Sequence, residues 1–139
     1  MTMLDAALVR YHPNVYDDTL DRLSHADQAL TEETLAGLRL VRNRVAEPGD
    51  LARFVDSGTT DSEPLTGQIT SQRWKAVPAR SSGSQSNSAQ AWELARYRAY
   101  QNRLAGTAIG DTFDRSTTFL LAAAARAMAT THTDAPVTR

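Results

Sequence analysis

Cysteine is absent from the 139 residues. Disulfides, thiolate metal sites and cysteine nucleophiles are thereby excluded. A reducing compartment suits such a chain, and the cytoplasm is the expected location. Long apolar runs are missing too. The longest, Phe119 to Ala125, ends at Arg126, far below the roughly 20 residues that a membrane-spanning helix needs. The opening residues, MTMLDAALVRYHP, hold no basic run, apolar core or small-residue cleavage site, so neither a secretory leader nor a membrane partner is expected. Lysine is nearly missing: of 15 cationic side chains, every one but Lys75 is arginine. With the high alanine content, the plain reading of that bias is a GC-rich genome, as in an actinobacterium. The net charge is −1, which supplies no global field for nucleic acid or anionic lipid.

The motifs that usually announce chemistry are lacking as well. Of His12, His25 and His132, none has a second ligand at metal-binding spacing, and no helical HxxxH or HExxH occurs. No G-x-S-x-G elbow and no phosphate-binding glycine loop are present. No metal and no cofactor is expected, and the sequence leans away from an enzyme.

What is present reads as helix. A chain of this length makes one domain. Pro13 interrupts a short helical turn at 4–11. Val15, Leu20, Leu23 and Leu30 repeat near the helical period, predicting a helix over 15–30 capped by Asn14. Thr31, followed by Glu32 and Glu33, predicts the next helix start. Leu35, Leu38, Val41 and Val45 then share a face until Pro48-Gly49 ends it. Asp50 caps a short continuation whose Leu51, Phe54 and Val55 are expected to pack inward.

The texture changes over residues 57–90, where Gly58, Pro64, Gly67 and Pro78 recur and SSGSQSNS at 81–88 is a polar tract expected to be mobile. Within it, Arg73 to Val77 permits a short strand or an extended strap anchored by Trp74. From Ala91, the residues Trp92, Leu94, Ala95, Tyr97, Tyr100 and Leu104 give a helical pattern that Gly106 ends. Thr107 is expected to cap a last helix with Ile109, Phe113, Thr117, Leu120 and Ala124 inward and fraying near Thr130. Residues 131–139 read as a disordered tail. The expected fold class is all-α: a four-helix bundle of two antiparallel helical hairpins within a single domain, 1–130, interrupted by a long irregular insertion, 57–90.

Charge is segregated. Residues 17–33 are acidic, whereas Arg39, Arg42 and Arg44, and later Arg96, Arg98 and Arg103, form basic stretches. Either these are solvated faces that pair with each other, or they serve self-association. Trp92, Tyr97 and Tyr100 with Arg96 would suit base stacking and phosphate contact, although the same spacing fits a helix core. A third reading is a small-molecule pocket beneath the insertion, lined by Trp74, Trp92 and Tyr97.

One local pattern, Leu38-Arg39-Leu40-Val41-Arg42-Asn43-Arg44-Val45-Ala46-Glu47, resembles the signature of HEPN domains. That family shares a helical bundle, commonly dimeric, and its active members are metal-independent ribonucleases. Its motif is an arginine, a polar residue and then a histidine four to six positions after the arginine. The resemblance implies that Arg42 is the motif arginine and Asn43 the polar residue. The histidine does not carry over, because Glu47, Pro48 and Gly49 stand at the following positions. Glutamate does not donate a proton near neutral pH and repels phosphate. The resemblance therefore implies a non-catalytic interaction or dimerisation module, with a homo-oligomer or a protein as partner. The alternative is a ribonuclease or degenerate RNA-binding domain in which His25 substitutes as the acid. A second resemblance, carried by Trp74-Lys75, Trp92-Glu93, Arg96-Tyr97, Tyr100-Gln101, Leu104-Ala105-Gly106 and Thr112-Phe113 to Phe119-Leu120, is to a group of uncharacterised actinobacterial helical proteins. It implies the fold and adds no mechanism. The candidate binding residues are thus Arg39, Arg42, Asn43, Arg44, Trp74, Trp92, Arg96 and Tyr97.

Overall fold

The computed structural model of the chain describes residues 2–45, 48–56, 72–79 and 87–133. Five α-helices are found there: α1 (Thr2–Tyr11), α2 (Pro13–Asp21), α3 (His25–Arg44), α4 (Asn87–Arg103) and α5 (Ile109–Thr133). A 3₁₀ turn (Pro48–Arg53) leads into strand β1 (Val55–Asp56), which pairs antiparallel with β2 (Arg73–Trp74). The described residues are therefore all-α apart from these two short strands. Among the described residues no helix is long and apolar enough to cross a membrane. Most of the expected insertion, including 81–86 of the polar tract, lies outside the described residues, as do 134–139 of the expected tail. Contacts divide the chain into two units, Met1–Thr31 with Asp114–Arg139, and Glu32–Phe113.

In the first unit, Pro13 separates α1 from α2 because it has no amide hydrogen to give. It sits at the first positions of α2, where that amide is not needed. Tyr16 meets Phe119 edge-on, 5.2 Å between ring centroids, and its hydroxyl donates to the buried Asp5 carboxylate at 3.4 Å. Asp18 receives both Arg22, at 3.4 Å, and Arg126.

The helix expected over 15–30 is instead two helices. The break lies at 22–24, and Ser24 is the reason: its hydroxyl accepts from the Asp27 amide at 3.2 Å and donates to the Asp27 carboxylate at 2.7 Å. That reciprocal cap starts α3. Thr31, expected to begin a helix, lies buried within α3 instead.

In the second unit, Leu35, Leu38, Leu40 and Val41 of α3 are buried. At Gly37 an added Cβ would stand 2.8 Å from Leu104 Cδ1 and 3.2 Å from the Tyr100 Cα. The glycine thus admits α4 against α3 at close range, which offsets its helix-propensity cost of about 1 kcal/mol relative to alanine. Tyr100 is enclosed by Phe54 at 5.7 Å and Trp74 at 6.3 Å, both edge-on. Leu51, expected inward with Phe54, is exposed.

Gly106 closes the α4–α5 connection. The Thr107 amide bonds the Leu104 carbonyl at 2.8 Å, and Gly106 at the third position of that turn has φ +81°. A type II turn requires this left-handed residue. The Gly106 amide then bonds the Trp74 carbonyl at 2.7 Å, and the Trp74 amide bonds the Thr107 carbonyl at 3.0 Å. The strap is so pinned between β1 and this turn. Thr107 does not cap α5: its hydroxyl donates to the Leu104 carbonyl at 2.7 Å.

The inward side of α5 also differs from expectation. Thr112, Ser116, Phe119, Leu120, Ala123 and Ala127 are buried, whereas Phe113 is 41% exposed and Thr117 is exposed. The helix is turned so that the Thr112 hydroxyl accepts the Trp74 indole N–H at 3.0 Å. A buried indole needs such a partner. Two helices are longer than expected, α4 starting at Asn87 and α5 running to Thr133.

Candidate functional site

The candidate residues from 39 to 97 all belong to the second unit, where the end of α3, the middle of α4 and the strap from β2 to Pro78 carry them. They fall into two groups.

One group fastens the strap. Arg44 bonds Glu93 Oε1 through Nε at 2.7 Å and the Pro78 carbonyl through Nη1 at 3.2 Å. Its guanidinium lies over the Tyr97 ring, 5.7 Å from the centroid. Tyr97 and Gln101 both donate to the Val77 carbonyl, at 3.2 and 2.6 Å. Tyr100 donates to the Lys75 carbonyl at 2.6 Å, and burial pushes its phenol up to about 12. Two adjacent turns of α4 thus supply donors to strap carbonyls that would otherwise want a neighbouring strand. With Glu93, Pro78 and Tyr97 around it, Arg44 is committed. Trp74 is likewise interior, at 3% exposure.

The other group faces water. Arg42 and Asn43 are exposed, and the Arg42 Nε and Nη2 both donate to Asn43 Oδ1 at 3.4 Å. Among the described residues Arg42 joins no ion pair. Trp92 is 67% exposed, although its spacing also fits the helix core, and Leu94 is exposed beside it in sequence. Arg39 and Arg96 are intermediate. Trp74, Tyr97 and Trp92 therefore stand in three different settings: a core, a cation-covered fastener and an open surface.

His25 begins α3, exposed. Seventeen residues of helix separate it from Arg42, about 25 Å at 1.5 Å per residue. His25 belongs to the first unit and Arg42 to the second. Among the described residues no group of three or more His, Cys, Asp or Glu side chains is placed to hold a metal ion.

Glu93 and Gln101 entered the sequence reading only among the residues of the second resemblance, with no site role, and both fasten the group around the strap. Glu93 carries a signal in retrospect, being the sole acid in α4. Gln101 carries none, since its partner is a main-chain oxygen 24 residues away.

Comparison with protein families, curated proteins and solved structures finds no match to this chain. The two resemblances read from the sequence rest on its residues alone.

Proposed function

We propose that this chain is a non-catalytic, HEPN-like helical interaction or dimerisation module of the cytoplasm, with the outward side of α4 around Trp92 as one docking element. The observation that carries the reading is the exposure of Trp92 on a helix fastened on its other side by Arg44, Tyr97, Tyr100 and Gln101. A large aromatic held rigidly in water gains most from being covered, and tryptophan dominates many protein interfaces. Ala91 and Ala95, exposed on the same helix, leave room for a partner to approach. The four-helix arrangement expected from the sequence belongs to this proposal, with its first turn at 22–24 and its second at 104–108. A pull-down from host lysate with wild type and Trp92→Ala tests it. A partner lost in the variant, at unchanged circular dichroism, supports the reading. Identical captures, or none, oppose it.

A second reading is RNA contact at Arg42 and Asn43, favoured by their exposure side by side on α3. Arginine presents a planar fork that matches phosphate. Gel shift and cleavage assays on total RNA, comparing wild type with Arg42→Ala, decide it. RNA left unbound and uncut by both removes it.

A further inference from the structure

Charge on α4 is one-sided. The helix carries Arg96, Arg98 and Arg103 against a single acid, Glu93. Arg44 draws that acid to the inner side of the helix, at 2.7 Å. Arg103 is taken by Glu33 of α3. Among the described residues Arg96 and Arg98 join no ion pair, and Arg98 is exposed. The charge left uncompensated on α4 is therefore wholly positive, in a chain whose net charge is −1.

Helical spacing sets these two arginines around an apolar strip. At about 100° per residue, Trp92 and Leu94 border the outward side, with Ala91 and Ala95 between them, and all four are exposed. Arg98 stands within the strip, one turn beyond Leu94 and Ala95. Arg96 stands one turn beyond Trp92. The strap lies on the other side of the helix, gripped by Tyr97, Tyr100 and Gln101. Small residues between two large ones let a second helix approach closely.

We propose that this strip takes an acidic amphipathic helix from a protein partner. The partner's apolar stripe covers Trp92, Ala95 and Leu94, and its bordering carboxylates meet Arg96 and Arg98. The proposal rests on the reading of α4 as a docking element and names the chemistry of what docks there. An amphipathic helix laid along an apolar surface is a recurring mode of peptide recognition. Each free guanidinium offers a fork that a carboxylate can fill, and it repels a basic helix of the same shape. Single-stranded nucleic acid needs successive aromatic platforms and a track of cations. Here Trp92 stands alone, because Tyr97 and Tyr100 turn to strap carbonyls, and phosphate gives Leu94 and the alanines nothing to pack against.

The probe is a synthetic helical peptide with leucines along one face and glutamates on both borders, beside a twin with lysines in place of the glutamates. Binding to the full chain is measured by titration calorimetry, with circular dichroism confirming that each variant is folded. Wild type is expected to bind the glutamate peptide about tenfold or more tighter than the lysine twin. The double variant R96E/R98E is expected to reverse that preference, and Trp92→Ala to weaken both peptides. Tryptophan emission of wild type is expected to shift to the blue on binding, since Trp92 starts in water and Trp74 is already buried. Equal affinity for the twins, no binding of either, or a preference that R96E/R98E leaves unchanged overturns the proposal. So does a mixed-sequence single-stranded RNA that displaces the glutamate peptide from wild type and is lost by R96E/R98E. The docking reading is judged separately by the Trp92→Ala pull-down. A partner lost there but kept by R96E/R98E leaves α4 as a docking element and removes only the acidic partner.

Discussion

The two tryptophans mark two regions of one unit that obey opposite rules. Around Trp74, Phe54 and Tyr100 are packed and polar groups find partners: the indole has Thr112, Tyr100 has the Lys75 carbonyl, and Arg44 has Glu93 and Pro78. Around Trp92, apolar side chains are left in water, Trp92 itself and Leu94. The first region spends its aromatic residue on holding the strap. The second holds one in reserve. Chemically similar residues on neighbouring elements thus separate into scaffold and surface, and the separation follows from which carbonyls lie within reach.

Substitutions sharpen that contrast in order of expected size. Trp74→Ala removes a buried ring and the bond that its indole donates to the Thr112 hydroxyl, and is expected to cost about 3–5 kcal/mol, read as a fall in urea midpoint. High pH acts through Tyr100. Its phenol ionises near 10 in the unfolded chain and at about 12 in the folded one. The stability it lends is whole below pH 10 and is lost as pH rises through 12. Urea midpoints measured from pH 9 to 12 are expected to decline, and Tyr100→Phe is expected to flatten part of that decline. Arg44→Met leaves the Glu93 carboxylate without its partner, and about 1–3 kcal/mol is expected from the loss of a charge-assisted bond. Amide exchange in the strap should speed up with it. Gly37→Val drives a branched side chain toward the Tyr100 backbone, with an expected loss of about 1–3 kcal/mol. Trp92→Ala is expected to change stability by less than about 0.5 kcal/mol. A loss there as large as at Trp74 would erase the contrast.

How much of this was readable beforehand depends on the range of the interaction. The stripe Leu35, Leu38 and Val41 announces its own burial because helical spacing is local information. Gly106 and the anchoring role of Trp74 were legible for the same reason: a breaker and a lone large aromatic declare themselves. The start of α3 was misplaced because two cap signals compete within eight residues. Ser24 with Asp27 and Thr31 with Glu33 both offer a hydroxyl ahead of acids. Only the former is used, and continuing the helix through Thr31 buries its methyl and hydroxyl together. The phase of α5 was misjudged because hydrophobicity ranks Phe113 above Thr112, while the indole of Trp74 selects the threonine. In α4, apolar residues occur on all sides, so periodicity could not separate Trp92 from Tyr100. For the candidate site, Arg44 and Tyr97 were named as ligand contacts and proved to be fasteners. Their partners, Pro78 and Val77, contribute main-chain oxygens that every residue type possesses, and no residue-type pattern can flag them.

That last point bears on how freely the strap can change. Because Tyr97, Tyr100, Gln101 and Arg44 grip carbonyls at Lys75, Val77 and Pro78, the grip is indifferent to what those residues are. Lys75, Ala76 and Pro78 could be rewritten, as in a peptide graft, so long as Trp74 stays as the peg and the spacing is kept. The helix would hold a foreign sequence there as firmly as its own.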